Sequence, residues 1–167
     1  MRLSLPLSCA LAVLAAGCGG APPAPGVLGP VPGDAVLYYD NQGAMRDSVR
    51  MVVRDEAGLR TLWSRVTAGQ ASPPPAPAVA FDREMLLVVG AGRKTPEDQI
   101  QVDSVGVRRE MGPSGRMREV LAVQVRTTEG CGRFRSTAAF PVQIVRVRRF
   151  DGEVSFVERR ERAEGCS

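Results

Sequence analysis

The sequence predicts an α+β domain, mostly antiparallel, with about six or seven strands and one amphipathic helix. Three observations predict it. Short apolar stretches alternate with polar residues and are separated by turns rich in glycine and proline. One stretch has helical spacing instead, and one strand-length run is apolar at every position. The 167 residues, 44% apolar, suit a single domain that folds as a sandwich or a strongly curved sheet.

The segment before the helix contains two predicted strands. Residues 36–40 form a short apolar run that ends in the turn signal 40–43. Along 49–54, apolar side chains recur at every second position, with arginines at Arg50 and Arg54, which is typical of a half-buried strand.

The predicted helix covers residues 56–67. Asp55 is a good N-cap because its carboxylate can accept from exposed N–H groups at a helix start. Leu59, Leu62, Trp63 and Val66 then recur at positions i, i+3, i+4 and i+7, which gives one apolar face. We expect Trp63 to anchor the core.

Five more strands follow a proline-rich loop. The run 85–89 is apolar throughout and predicts a central strand buried on both faces. A change of alternation near residues 103–104 predicts a bulge, and a change within 142–147 predicts either a bulge or burial on both sides. The predicted strands of this half lie near 85–89, 99–107, 121–125, 142–147 and 154–156.

The N-terminus predicts export. Arg2 precedes an apolar run from Leu3 to Ala16, which at 14 residues is too short to span a membrane. Leu14 to Cys18 resembles the lipobox of bacterial lipoproteins, and that resemblance implies cleavage before Cys18 and lipidation of its thiol. Ordinary secretion with an unmodified Cys18 is the alternative. Glycine rather than aspartate after this cysteine resembles the sorting signal for the outer membrane, if the cell is Gram-negative.

Three segments follow from this interpretation. Residues 1–17 are the signal peptide, and its cleavage also removes Cys9. Residues 18–33 are the lipidated cysteine and a tether rich in proline and glycine, a composition typical of semi-rigid spacers. Residues 34–167 are the single domain. We therefore expect a lipid-anchored protein of the bacterial cell envelope whose domain lies outside the cytoplasm.

Catalytic chemistry has little support in the sequence. The chain has no histidine, which excludes Ser-His-Asp and Cys-His nucleophile pairs and histidine metal sites. No nucleotide-loop, metalloprotease, hydrolase or EF-hand motif is present. Asp82 and Glu84 lie two apart and could hold a cation, but a solvated turn beside Arg83 is the favoured interpretation. We expect no enzyme activity, cofactor or metal.

Cys131 and Cys166 both lie in the exported domain, where paired cysteines are typical of a disulfide. The alternative is a redox or metal-binding pair. It is disfavoured because no CxxC spacing exists and no histidine is available as a ligand.

The net charge of +4 comes almost entirely from arginine. Arg146, Arg148 and Arg149 lie along one predicted strand, and Arg108 and Arg109 lie on another. Two interpretations stay open, namely genome composition and a face that binds acidic partners. Nucleic acid is not an expected partner, since aromatic residues do not accompany the arginines.

An ordered set of features extends over residues 48–156. They are the strand 49–54, Leu62-Trp63, the loop 72–77, residues 79–82 before the strand 85–89, Gly92, Lys94, the strand 100–102 and Phe140-Pro141-Val142. With these features the domain resembles the C-terminal domain of the protease complex subunit PrcB family. The resemblance implies an exported, lipidated protein that helps to assemble and stabilise a surface protease complex. Residues 95–99 depart from the Gly-Gly-Tyr type turn common in that family.

These observations predict a non-enzymatic domain that binds or assembles another exported protein, and the resemblance names a secreted protease as the candidate partner. Its contact with the membrane would be the lipid on Cys18. An exported protease inhibitor is the first alternative. A hydrolase that uses Asp82 and Glu84 is the second.

Overall fold

The computed structural model describes residues 28–134 and 136–166 and confirms the α+β fold with one helix. It has eight strands, one more than the upper limit of the prediction, because a two-residue strand precedes the first predicted one. The elements are β1 (Gly29–Pro30), β2 (Val36–Asp40), β3 (Ser48–Val53), α1 (Glu56–Val66), β4 (Glu84–Ala91), β5 (Gln99–Met111), β6 (Met117–Glu129), β7 (Val142–Arg148) and β8 (Glu153–Arg162).

The strands form two four-stranded sheets. The hairpin sheet has the order β1-β5-β6-β8 and contains the long β5–β6 hairpin. The helix sheet has the order β2-β7-β4-β3. All strand pairs are antiparallel except β6 and β8, which run parallel because the chain crosses to the helix sheet as β7 between them.

Helix α1 covers the outer face of the helix sheet. Asp55 caps it as predicted, since its Oδ1 accepts from the Gly58 N–H at 2.7 Å. The apolar face of the helix is buried in a cluster with Leu86 and Val88 of β4. Trp63 is half-buried against this cluster, and its Nε1 donates to the Pro74 carbonyl at 2.9 Å, which fastens the proline-rich loop to the helix.

A second apolar cluster lies between the sheets. Met85, Leu87 and Val89 point into it from β4, opposite to Leu86 and Val88. The prediction that this strand is buried on both faces is therefore confirmed. As a result, the fold has three layers, with the helix sheet between α1 and the hairpin sheet.

The predicted bulge in β5 lies between Val102 and Ser104. The Val102 N–H donates across the sandwich to Oε1 of Gln143 at 2.7 Å, and Gln143 is only 7% exposed. In β7 itself the register against β4 is continuous, so the change of alternation there reflects burial on both faces.

Several predictions fall on residues 1–27, outside the described residues. They are the signal peptide, Cys9, the lipidation site Cys18 and most of the tether. The last tether residues are described and belong to the fold, since β1 pairs with β5 and Val31 donates to the Asp103 carbonyl at 3.2 Å. Within the described ranges, no helix is long and apolar enough to cross a membrane.

Candidate interaction cleft

The edges of the two sheets meet on two sides of the sandwich. On one of these sides, arginine side chains link the two sheets. Arg50 of β3 forms a two-point ion pair with Glu158 of β8, with N–O distances of 2.6 and 3.0 Å. Arg54 donates to the carbonyls of Phe150 and Gly152. This side, called the clamped side below, is therefore joined from sheet to sheet by side chains.

The opposite side is called the open side below. There, among the described residues, one segment passes from the hairpin sheet to the helix sheet, and this crossing segment comprises residues 29–40. It pairs with β5 only at Ser104 and Val105, as β1, and then pairs with β7 as far as Val145, as β2. Among the described residues, no strand pairs with this edge of β5 beyond Val105 or with this edge of β7 beyond Val145. Two stretches, 106–111 of β5 and 146–148 of β7, are thus uncovered.

A cleft of about 690 Å³ lies between these uncovered stretches. This volume falls within the range of about 300–1,000 Å³ that is usual for binding sites. Its charged lining residues are Asp34, Arg146 and Arg148. The apolar lining comes from the crossing segment and from both sheets, and comprises Pro30, Val31, Pro32, Ala35, Val105, Val107, Leu121 and Val147.

Four of the five arginines that the sequence analysis singled out lie on the uncovered stretches. Arg108 and Arg109 lie on β5, and Arg146 and Arg148 lie on β7. Together the two stretches carry four arginines and one glutamate. The open side therefore combines an apolar floor with an excess of positive charge.

Arg149, the fifth of these arginines, has a structural role instead. Its Nη1 donates to the carbonyls of Arg54 and Phe81, and its Nε pairs with Asp151 at 2.7 Å. It therefore joins three segments of the main chain at the end of β7.

The arginines of the open side are loosely held. The Nε of Arg146 lies 3.6 Å from Oε1 of Glu84, and Arg148 makes no ion pair within the part of the chain that the structure describes. Arg108 pairs with Glu110 at 3.2 Å, where both side chains are partly exposed, and Arg109 pairs with Glu119 at 3.4 Å, where both are at least half exposed. Exposed pairs of this kind contribute about 0–1 kcal/mol, so these arginines could exchange one carboxylate for another at little cost.

Asp82 and Glu84 are not brought together as a pair of ligands. Asp82 is exposed and lies 3.9 Å from Arg83, which agrees with the solvated turn that the sequence favoured. Glu84 accepts from the Ala80 N–H at 3.0 Å and also faces Arg146. Over residues 28–134 and 136–166, no three acidic or cysteine side chains are grouped as metal ligands.

The two domain cysteines lie together, with 2.09 Å between the sulfur atoms of Cys131 and Cys166. This is a disulfide distance. The pair joins the segment after β6 to the residues that follow β8. Because β8 is an edge strand of the clamped side, the link reinforces that side of the sandwich.

Residues 95–99 anchor the same region, a role that sequence analysis missed. Oε2 of Glu97 accepts from the N–H groups of Gly132 and Arg133 at 2.8 and 3.0 Å, and Oε1 accepts from the Arg133 side chain at 2.8 Å. Asp98 accepts from the Gly130 N–H at 2.8 Å. Gly130 has to lack a side chain, since a Cβ there would collide with Glu97.

These contacts lower the pKa values of both carboxyl groups. Burial alone would raise the pKa of Glu97, but the hydrogen bonds from Arg133 and Gly132 outweigh it and hold the pKa below its ordinary value of 4.5. Burial also opposes ionisation of Asp98. There the N–H groups of Thr95 and Gly130 dominate and lower the pKa from 3.8. The anchor therefore depends on charged carboxylates.

Comparison of the chain with protein-family models, curated proteins and solved structures finds no match. The resemblance to the PrcB family and the lipid anchor at Cys18 accordingly stay predictions.

Proposed function

We propose that this protein is a lipid-anchored, non-enzymatic domain of the cell envelope that binds another exported protein through its open side. The observation that carries the proposal is the cleft between two uncovered strand edges, where Arg146 and Arg148 line an apolar floor and two more arginines lie further along the edge of β5. Apolar surface supplies affinity in protein interfaces, while charge at the rim selects and steers the partner.

The location at the membrane is the sequence-based part of the proposal. It relies on Cys18 and the lipobox-like segment before it. Lipidation of the Cys18 thiol and acylation of the new amino group would give a stable anchor, since two lipid chains are enough for one. The resemblance to the PrcB family supports an exported protease, or a protein assembled with one, as the partner. A Cys18→Ala variant should leave the membrane fraction.

Recovery of partners from membranes tests the binding role. The full chain is cross-linked in its own cells, and the recovered proteins are quantified for the wild type and for two double variants. The first, Arg146→Glu/Arg148→Glu, reverses charge on the open side. The second, Arg160→Glu/Arg162→Glu, makes the same change on β8, where neither arginine has an ion pair among the described residues.

We expect the same partner to be recovered from the wild type and from the β8 variant, and to be lost from the open-side variant. Equal recovery from all three proteins would show that the open side is not the binding surface. If no protein is enriched over a mock purification in any of them, the proposal of an assembly domain fails.

A further inference from the structure

We infer that the open side binds its partner by strand addition, with an extended acidic segment of the partner pairing along the uncovered edge of β5. This inference rests on the proposed function and names the form and chemistry of the segment that is bound. It follows from the backbone, the floor and the charges of the open side, taken in turn.

The backbone of β5 has N–H and C=O groups on its uncovered edge that can pair with another strand. β1 already pairs with this edge, since Gly29 lies opposite Val105 and the Val31 N–H donates to the Asp103 carbonyl. In an antiparallel strand, the N–H and C=O groups of every second residue point to the same side. Val107 and Arg109 therefore direct theirs to the uncovered side, where β1 does not reach.

Unpaired groups on an exposed strand edge are a template for pairing with another chain. β1 is itself an extended segment seated on this edge, and an added strand would continue that contact along β5. Main-chain hydrogen bonds then supply affinity that is independent of sequence, and alternate side chains supply specificity.

The floor of the cleft suits one face of an added strand. Side chains alternate between the two faces of a strand, so every second residue of the bound segment would point between the sheets. There it would meet Val107, Leu121 and Val147, which line the cleft. Val107 and Val147 are only half-buried and already pack against the cluster between the sheets, so apolar side chains of a partner would extend that cluster.

The charges select an acidic segment. The uncovered stretches carry four arginines against one glutamate, and Asp34 is the single acidic residue of the cleft lining. Arginine binds carboxylates through two parallel hydrogen bonds, which gives geometric specificity as well as attraction. Because Val107 points between the sheets, Arg108 points to the outer face of β5. A glutamate or aspartate between the apolar residues of the segment would lie on that face and could pair with Arg108, while Arg146 and Arg148 of the cleft lining would attract the segment from β7.

An anionic lipid would also match the apolar floor and the arginines. It would leave the N–H and C=O groups of Val107 and Arg109 without partners, whereas a peptide pairs with them. The two uncovered edges therefore favour a peptide, and lipid binding becomes an outcome of the test.

The test uses capped peptides of alternating valine and glutamate, and the mature protein purified from membranes. Binding is followed by fluorescence anisotropy, and exchange of the Val107 and Arg109 amide hydrogens is followed in parallel. Matched probes are the valine–lysine peptide and two N-methylated forms of the acidic peptide. Each methylated form blocks the N–H groups of one alternating set and leaves every side chain in place.

We expect the acidic peptide to bind at least about tenfold more tightly than the lysine peptide and to slow exchange at Val107 and Arg109. One N-methylated form should lose binding by at least about tenfold, and the other should keep it, because only one set of N–H groups faces β5. A vesicle of anionic phospholipid should not slow these amides.

Three results would overturn the inference. The acidic peptide could fail to bind at millimolar concentration, both methylated forms could bind as well as the parent, or anionic vesicles alone could protect the cleft. None of these results bears on partner recovery from membranes. A protein that still lost its partner when Arg146 and Arg148 were reversed would keep the proposed function with a different mode of binding.

Discussion

The two sides of the sandwich close their sheet edges in different ways. On the clamped side, Arg50 and Glu158 join β3 to β8, and a cysteine pair at disulfide distance fixes the residues after β8. On the open side, a crossing segment covers β5 only as far as Val105. The comparison shows that only part of the β5 edge is exposed, because the same fold covers or clamps its sheet edges elsewhere.

The largest expected effect comes from unlinking the clamped side. A Cys131→Ser/Cys166→Ser variant should lose about 4 kcal/mol of unfolding free energy, because the link closes a loop with a sequence separation of 35 in the unfolded chain. Urea unfolding of both proteins measures it. The control is Arg148→Glu on the open side, which should stay within about 0.5 kcal/mol of the wild type. A loss below about 1 kcal/mol would remove the disulfide from the account.

The hydrogen bond that joins the two sheets inside the sandwich should come next. Gln143→Leu leaves the buried Val102 N–H without an acceptor, and we expect a loss of about 1–3 kcal/mol. Equilibrium unfolding in urea provides the value. Gln42→Leu, at an exposed position, should change stability by no more than about 0.5 kcal/mol. Equal effects of the two substitutions would contradict the role of Gln143.

Breaking the clamp itself should have a smaller effect. Arg50→Gln removes the ion pair with Glu158 and weakens two hydrogen bonds to main-chain carbonyls, so we expect a loss of about 1 kcal/mol. The ionic part should shrink as salt is raised. Arg146→Gln on the open side is the matched change, and its effect should be near zero. If the two substitutions cost the same, the sides do not differ in the way described.

The smallest effect should appear as a dependence on pH. The folded-state pKa values of Glu97 and Asp98 lie below their ordinary values. Their stabilising contribution is therefore complete at neutral pH and is lost as the pH falls below about 4.5 and through the folded-state values. Urea midpoints measured across this range should fall less for Glu97→Gln than for the wild type. A parallel decline in both proteins would exclude Glu97 as an acid-sensitive anchor.

Local patterns in the sequence predicted the helix with one buried face and the strand that is buried on both faces. Asp55 and the apolar face after it predicted α1, and the continuous run in β4 predicted burial on both faces. The bulge near Asp103 was visible as a change of alternation. The end of β8 was missed, because Glu158 and Arg162 lie on an exposed strand whose charged side chains hide the alternation.

Pairing between distant segments could not be predicted in the same way. Nothing local indicates that β8 runs parallel to β6, or that Gly29 and Pro30 of the tether pair with β5. The cleft was therefore missed, although the sequence did single out four of its flanking arginines as a face for acidic partners. Gln143 left one signal, a polar residue within an apolar run, and its partner Val102 became clear only when the sheets were stacked.

The most direct test of the central claim compares how tightly the acidic peptide binds to the wild type and to two charge-reversed variants. Its dissociation constant is measured for the wild type, for Arg146→Glu/Arg148→Glu on the open side, and for Arg160→Glu/Arg162→Glu on β8. We expect binding that is at least about tenfold weaker in the first variant and unchanged in the second. Equal weakening in both variants, or none in either, would contradict the assignment of binding to the open side.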